Sequence, residues 1–171
     1  MKKIVVISLL LFHFGLFAQK KLSLNELEKK RTEIENLTLI NLELALKKAE
    51  LLLNTAQNSK SESEIAKAKS TLAYLKIFET KTSEAEILNN QSLKINLRLK
   101  NENEIAKNYF NSALLYSRKS DFVTSVGLFI KAIDLAKKNK NYLLVQKNYR
   151  GLANSYCDQK NYEMALKYAS K

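Results

Sequence analysis

The sequence of 171 residues has no proline, no tryptophan, three glycines, one histidine and one cysteine. Proline and glycine punctuate sheets and tight turns, so their scarcity favours helices joined by short polar turns. The length fits one compact domain or one short array of repeats. Because Cys157 is the single thiol, no disulfide can form within the chain.

Residues 1–18 have the pattern of a secretory signal peptide. Lys2 and Lys3 precede a mainly apolar run over residues 4–17, which ends at small Ala18. The pattern predicts cleavage after Ala18 and an exported protein, periplasmic or extracellular; an uncleaved anchor is the alternative. The run is short for a bilayer-spanning helix, which needs about 20 apolar residues. Membrane attachment would come only from an uncleaved signal or from a part of the protein outside this chain.

Cleavage would also remove the only histidine, His13. A mature chain without histidine can build neither a Cys/His metal site nor nucleophilic catalysis through a histidine base. The two remaining glycines, Gly127 and Gly151, are too few for a Gly-rich phosphate loop. We therefore expect a protein that is not an enzyme and that holds no metal or cofactor.

The charge is strongly basic but spread along the chain. The formal net charge of +12 becomes about +10 when Lys2 and Lys3 are removed, since 12 − 2 = 10. The cations are nearly all lysines scattered through every segment, which is typical of a solvated surface rather than a dedicated anion-binding face. We expect no nucleic-acid partner for this segment.

An internal repeat runs through the chain with a period of about 40 residues, and repeats of this kind decide the fold. Residues 61–67 align with residues 101–107, and Lys107-Asn-Tyr109 aligns with Lys147-Asn-Tyr149. Small residues recur with the same offset in two series, which are Ala73, Ala113 and Ala153, and Ala45, Ala85, Ser125 and Ala165.

Each repeat unit is predicted to be a pair of helices. In the unit 101–140, apolar and small residues recur every three or four positions, before and after a polar turn at 117–121. Gly127 and Gly151 fall inside these helices, where we expect close approach of a neighbouring helix. The sequence thus predicts an all-α solenoid of antiparallel helix pairs. The expected units are a degenerate first pair or N-terminal cap (19–60), two full repeats (61–100 and 101–140) and a last repeat (141–171).

The spacing of aromatic and small residues resembles the tetratricopeptide (TPR) repeat over residues 22–171. The last unit carries Tyr149, Leu152, Ala153, Tyr156, Tyr162 and Ala165, and the third carries Tyr109, Ala113, Tyr116, Phe122, Phe129 and Ala132. The usual TPR period is about 34 residues and ends in proline, so this chain is similar to the extended bacterial variant. HEAT-like pairs share the longer period but fit the tyrosine and small-residue spacing less well.

The resemblance implies a right-handed superhelix whose concave face, lined by the first helix of each pair, binds a protein or peptide. The residues it assigns to that face are Lys107, Phe110, Asn111, Leu114, Lys147, Arg150 and Asn154. Lysine, arginine and asparagine side chains can donate to a peptide carboxylate. Phe110 would be partly exposed in the groove, or hidden by a crossing to the neighbouring pair. Ordinary solvated residues are the alternative for the polar members.

Two further expectations concern what lies beside the array. The broad apolar face of the second helix, residues 39–53, must be buried against the next pair or in a homodimer. The second helix of the last unit would end about two turns before its counterpart in the third unit. We therefore expect the chain to be an N-terminal piece, and the alternative function is the sensory part of a larger bacterial membrane signalling regulator, such as a histidine kinase or a DNA-binding response protein.

Overall fold

A computed structural model describes residues 24–171, and the predicted signal peptide with His13 lies outside them. The described residues form eight α-helices in chain order and contain no strand. Consecutive helices pack against each other, so the predicted all-α solenoid is confirmed. The helices are α1 (Leu24–Leu37), α2 (Leu42–Ser59), α3 (Glu62–Phe78), α4 (Thr82–Arg98), α5 (Glu102–Arg118), α6 (Phe122–Lys138), α7 (Tyr142–Asp158) and α8 (Tyr162–Ala169).

The helix boundaries recur at a constant interval, and capping residues mark most of them. From α2 onward, the helices begin at positions 42, 62, 82, 102, 122, 142 and 162. At six of these starts a side-chain oxygen accepts from the backbone N–H three positions on, which satisfies a donor that the helix leaves free. The caps are Asn41, Ser61, Asn101, Asp121, Asn141 and Asn161. The turns reverse through residues with positive φ at 60, 80, 100, 120, 140 and 160, none of which is glycine.

The array curves with the first helix of each pair on its inner side. The first helix of one pair contacts the first helix of the next pair, so α1 contacts α3, α3 contacts α5 and α5 contacts α7. Among the described residues, no second helix contacts another second helix. All members of the two small-residue series are buried, with at most 7% of their surface exposed. Small side chains at these crossings let the backbones approach, as the sequence predicts.

The apolar core is divided into two main clusters. One joins α1, α2 and α3 around Leu27, Ile34 and Leu52, and the other joins α5, α6 and α7 around Phe110 and Phe129. Between them, a small apolar cluster of Ile77, Ala85 and Leu115 joins α3, α4 and α5. Beside it, α4 and α5 meet through amides and hydroxyls. We call this contact the polar seam, and its fully buried members are Asn89, Ser92, Asn96 and Asn108.

Hydrogen bonds join α4 to α5 within the polar seam. Asn108 Nδ2 donates to Asn89 Oδ1 at 3.0 Å and to Ser92 Oγ at 3.0 Å. Asn96 Nδ2 donates to Asn108 Oδ1 at 2.8 Å, and Ser92 Oγ donates to the Ala66 carbonyl at 2.7 Å. Buried polar groups cost free energy unless they are bonded in this way, so the seam favours one register between α4 and α5. Among the described residues, Asn96 Oδ1 is the one buried seam atom without a partner.

The apolar face expected around α2 is buried only in part. Leu52 is 3% exposed, but Leu39 and Ile40 precede the helix and are 78% and 80% exposed. The last helix, α8, has 8 residues where α4 and α6 have 17. In the part of the chain that the structure describes, no helix has the length and apolar character needed to cross a membrane.

Candidate binding cleft

A cleft on the inner side of the array is lined by the first helices together with the residue that caps α7. Its volume is about 670 Å³, including the space at its open mouth. One wall is α1, with Glu28, Arg31, Thr32 and Glu35, and the opposite wall is α7, with Leu143, Leu144 and Lys147. The floor comes from α3 and α5. We refer to this space as the inner cleft.

A row of lysines follows the repeat across the inner face. Lys67 on α3, Lys107 on α5 and Lys147 on α7 occupy equivalent positions of successive repeats, and we call them the lysine row. Carboxylates of α1 face them. Glu28 lies 3.0 Å from Lys67 Nζ and 3.9 Å from Lys107 Nζ, and Glu35 accepts from Lys147 Nζ at 2.5 Å.

Beneath the lysine row, α1 is joined to α5 by a buried ion pair. The Arg31 guanidinium donates to both oxygens of Glu104, at 2.9 and 3.1 Å, and its Nε donates to Thr71 Oγ1 at 3.0 Å. The two side chains are 2% and 3% exposed. Burying two charges is costly unless the geometry is good and the polar atoms are bonded. Arg31 meets both conditions, because its contact with Glu104 is bidentate and each of its three nitrogens donates, Nη1 also to Glu28.

The surroundings of Glu28, Arg31 and Glu104 favour the ionised forms of these three side chains. Burial alone would raise the pKa of the Glu104 carboxyl, but Arg31 and Lys107 outweigh it and lower that pKa to about 2. Burial would also raise the pKa of Glu28, but the charges of Arg31 and Lys107 outweigh burial and lower it. The pKa of Arg31 is raised, against its burial, chiefly by Glu104. With Glu28, Glu35 and Glu104 against Arg31 and the lysine row, three negative charges meet four positive ones.

The floor of the cleft has an apolar part. The rings of Tyr74 and Phe110 lie 6.1 Å apart between centroids, and Phe110 lies 6.0 Å from Phe129 behind it. Burial, and then the charge of Glu35, raise the pKa of Tyr74 to about 12, so its hydroxyl stays neutral and can act as a donor. An entering side chain would therefore meet aromatic and aliphatic surface between charged walls.

The structure brings together four of the seven residues predicted for the concave face. Lys107, Phe110, Asn111 and Lys147 line the inner cleft, whereas Leu114, Arg150 and Asn154 do not. Of the two alternatives for Phe110, the crossing to the neighbouring pair is the one observed, and the ring is 8% exposed. Asn111 is 3% exposed and donates to the Ser70 carbonyl of α3 at 3.0 Å, so it binds the array itself.

Leu114 is half-buried among core side chains, and Arg150 and Asn154 are exposed on α7 outside the lining of the cleft. The charge of Arg150 still acts on Tyr74 in the floor, where it opposes the rise of the Tyr74 pKa. The prediction from family geometry treats each first helix alone. It misses the whole contribution of α1, namely Glu28, Arg31 and Glu35, because the first pair has lost the repeat signature. The sequence does contain one signal for the contribution of α1. The lysine row recurs with the period of the repeat, and buried or half-buried lysines in a row need anionic side chains opposite them.

Neither the models of known protein families nor the sequences of curated proteins match the chain. The resemblance to TPR repeats therefore remains a prediction from the spacing of residues.

Proposed function

We propose that the chain is an exported, non-catalytic scaffold that binds a peptide or protein segment in the inner cleft. The observation that carries the proposal is the convergence of four helices on one cleft whose walls are charged and whose floor is partly apolar. Clefts with apolar surface and a few placed polar groups are the usual sites of binding.

The shape of the site favours a segment of chain over a compact small molecule. The walls belong to helices of the first and last pairs of the array, and two members of the lysine row line the cleft, Lys107 in the floor and Lys147 on the α7 wall. A peptide could lie along this row, with carboxylates on the lysines and an apolar side chain against Tyr74 and Phe110. The resemblance to TPR repeats supports the same mode, since peptide binding on the concave face is what that family geometry implies.

The proposal is tested with a library of random dodecapeptides displayed on phage and selected on the purified chain. Enriched peptides are then measured against Lys107→Gln and Lys147→Gln. Each lysine would contribute a charge-assisted hydrogen bond, so each loss should weaken binding by about tenfold.

The matched control is Lys131→Gln, which removes an exposed lysine from the second helix α6, away from the cleft. Its affinity should equal that of the unaltered chain. The proposal fails if no peptide is enriched, or if the cleft variants and Lys131→Gln lose affinity equally.

A further inference from the structure

The two walls of the inner cleft are held by different neighbours. The helix α1 packs on α2 and α3, and α7 packs on α5, α6 and α8. The backbones of α1 and α7 do not approach each other within the described residues. The width of the cleft between these walls therefore depends on the curvature of the array and on side chains that reach across.

The ion pair between Glu35 and Lys147 reaches across from one wall to the other. The two residues are 112 positions apart, on α1 and α7. Their side chains are 26% and 23% exposed, so water and dissolved ions reach both. Such a pair is screened by salt and exchanges partners at little cost.

The link between α1 and the floor is of another kind. Arg31 and Glu104 are almost fully buried, and Leu27 and Ile34 of α1 are 1% and 2% exposed in the core beside α2 and α3. These contacts fix α1 to the floor of the cleft. They do not extend to α7, so the opposite wall is tied to α1 by a far more accessible contact.

We propose that the Glu35–Lys147 pair is an ionic strap that closes the mouth of the inner cleft. A carboxylate of an entering segment opens the strap by taking over Lys147, and an apolar side chain beside it then packs on Tyr74 and Phe110. The strap thus makes the cleft selective for segments that carry a carboxylate next to an apolar side chain. The role of the entering segment rests on the proposed function, whereas the strap itself does not.

The first experiment needs no partner. Cys157 is exposed on α7 and is the only thiol of the sequence, so Lys29→Cys on α1 provides a pair of spin-label sites across the cleft. Double electron–electron resonance should show a longer or broader distance distribution in Glu35→Gln than in the parent. An unchanged distribution in Glu35→Gln overturns the proposal.

The matched control is Glu33→Gln. Glu33 lies on the same helix and forms an ion pair of the same type, 2.7 Å from Lys48, but this pair stays within α1 and α2. Its removal should leave the distance distribution at the parent value. An equal broadening in both variants would mean that α1 loosens generally, and it would overturn the strap.

The second experiment measures competition for Lys147 by chemical-shift titration with the acetylated, amidated dipeptide Glu-Phe. Glu35→Gln should bind this probe about fivefold more tightly than the parent, since an accessible ion pair no longer competes. The dipeptide Gln-Phe cannot take over Lys147, so it should bind each protein more weakly than Glu-Phe does. If the distance widens but no dipeptide binds, the strap stands and the proposed function is contradicted. If Glu-Phe binds both proteins equally, and the spin-label distance is the same in Glu35→Gln as in the parent, the strap is wrong and the proposed function stands.

Discussion

Gly151 lies against the ring of Phe129, so closely that a Cβ atom at Gly151 would be 2.4 Å from Phe129 Cε1. One repeat earlier, the equivalent positions hold Asn111 and Asn89, whose side chains are joined by a hydrogen bond of 3.3 Å. The same helix crossing is thus packed in two ways, by Phe129 against Gly151 in one repeat and by Asn89 against Asn111 in the repeat before it. The units therefore repeat the backbone but are not interchangeable in their packing.

The two helical glycines should respond to alanine in opposite directions. Gly151→Ala should destabilise the fold by about 1–3 kcal/mol, because the added methyl overpacks the Phe129 ring. Gly127 has nothing within 4 Å of an added Cβ, so the expectation that close helix approach explains it is wrong. Gly127→Ala should stabilise the fold by up to about 1 kcal/mol through helix propensity. Urea denaturation measures both, and equal shifts of the same sign would contradict the packing explanation.

The buried pair of Arg31 and Glu104 should show strong coupling. Glu104→Gln should destabilise the fold by about 3–5 kcal/mol, because it leaves the Arg31 charge buried without its main partner. The double variant Arg31→Met, Glu104→Leu removes both charges and should recover most of the loss. Denaturant unfolding of the single and double variants gives the coupling free energy. Additive losses would show that the pair is not an interacting unit.

The lowered pKa of Glu104 makes stability depend on acid. Its pKa is about 2 in the fold, below the ordinary value of 4.5, so its stabilisation is complete above about pH 4.5. It is lost as the pH falls from there towards 2, and the total is on the order of 3 kcal/mol. Thermal unfolding between pH 6 and pH 2 should show a steeper loss for the parent than for Glu104→Gln. The exposed Glu43→Gln serves as control and should retain the slope of the parent.

Two equivalent asparagines should differ in what they contribute. Asn108 makes three side-chain hydrogen bonds in the polar seam, and Asn108→Ala should destabilise the fold by about 3 kcal/mol by leaving its partners unpaired. Asn148, one repeat later, donates to the carbonyl of its own helix, and its Oδ1 has no partner among the described residues. Asn148→Ala should cost about 1 kcal/mol or less. Similar losses in urea titrations would mean that the seam is not a network.

Much of the fold can be predicted from the sequence, because the residues that mark the repeat act on structure within a few positions of themselves. Capping residues before six of the eight helices help to specify where these helices begin, and small residues at the crossings specify how close the helices come. The binding site follows less well. Phe110 lines the inner cleft, but its burial depends on Tyr74 of the neighbouring pair. Asn111 has the residue type of a peptide ligand, yet it bonds Ser70 across the helix contact.

The sequence by itself determined the helix pairs, their period and the equivalent positions of the lysine row, since propensity, capping and periodicity act over a few residues. Only the tertiary structure decided what those lysines face. Glu28, Arg31 and Glu35 lie in a segment without repeat signature, and they reach α5 and α7 because the array curves. The curvature of the array results from small rotations between helices at every crossing. Examples of such crossings are Asn89 against Asn111 and Phe129 against Gly151. Contacts across 73 and 112 residues depend on all of these crossings together, and no local pattern in the chain encodes that sum.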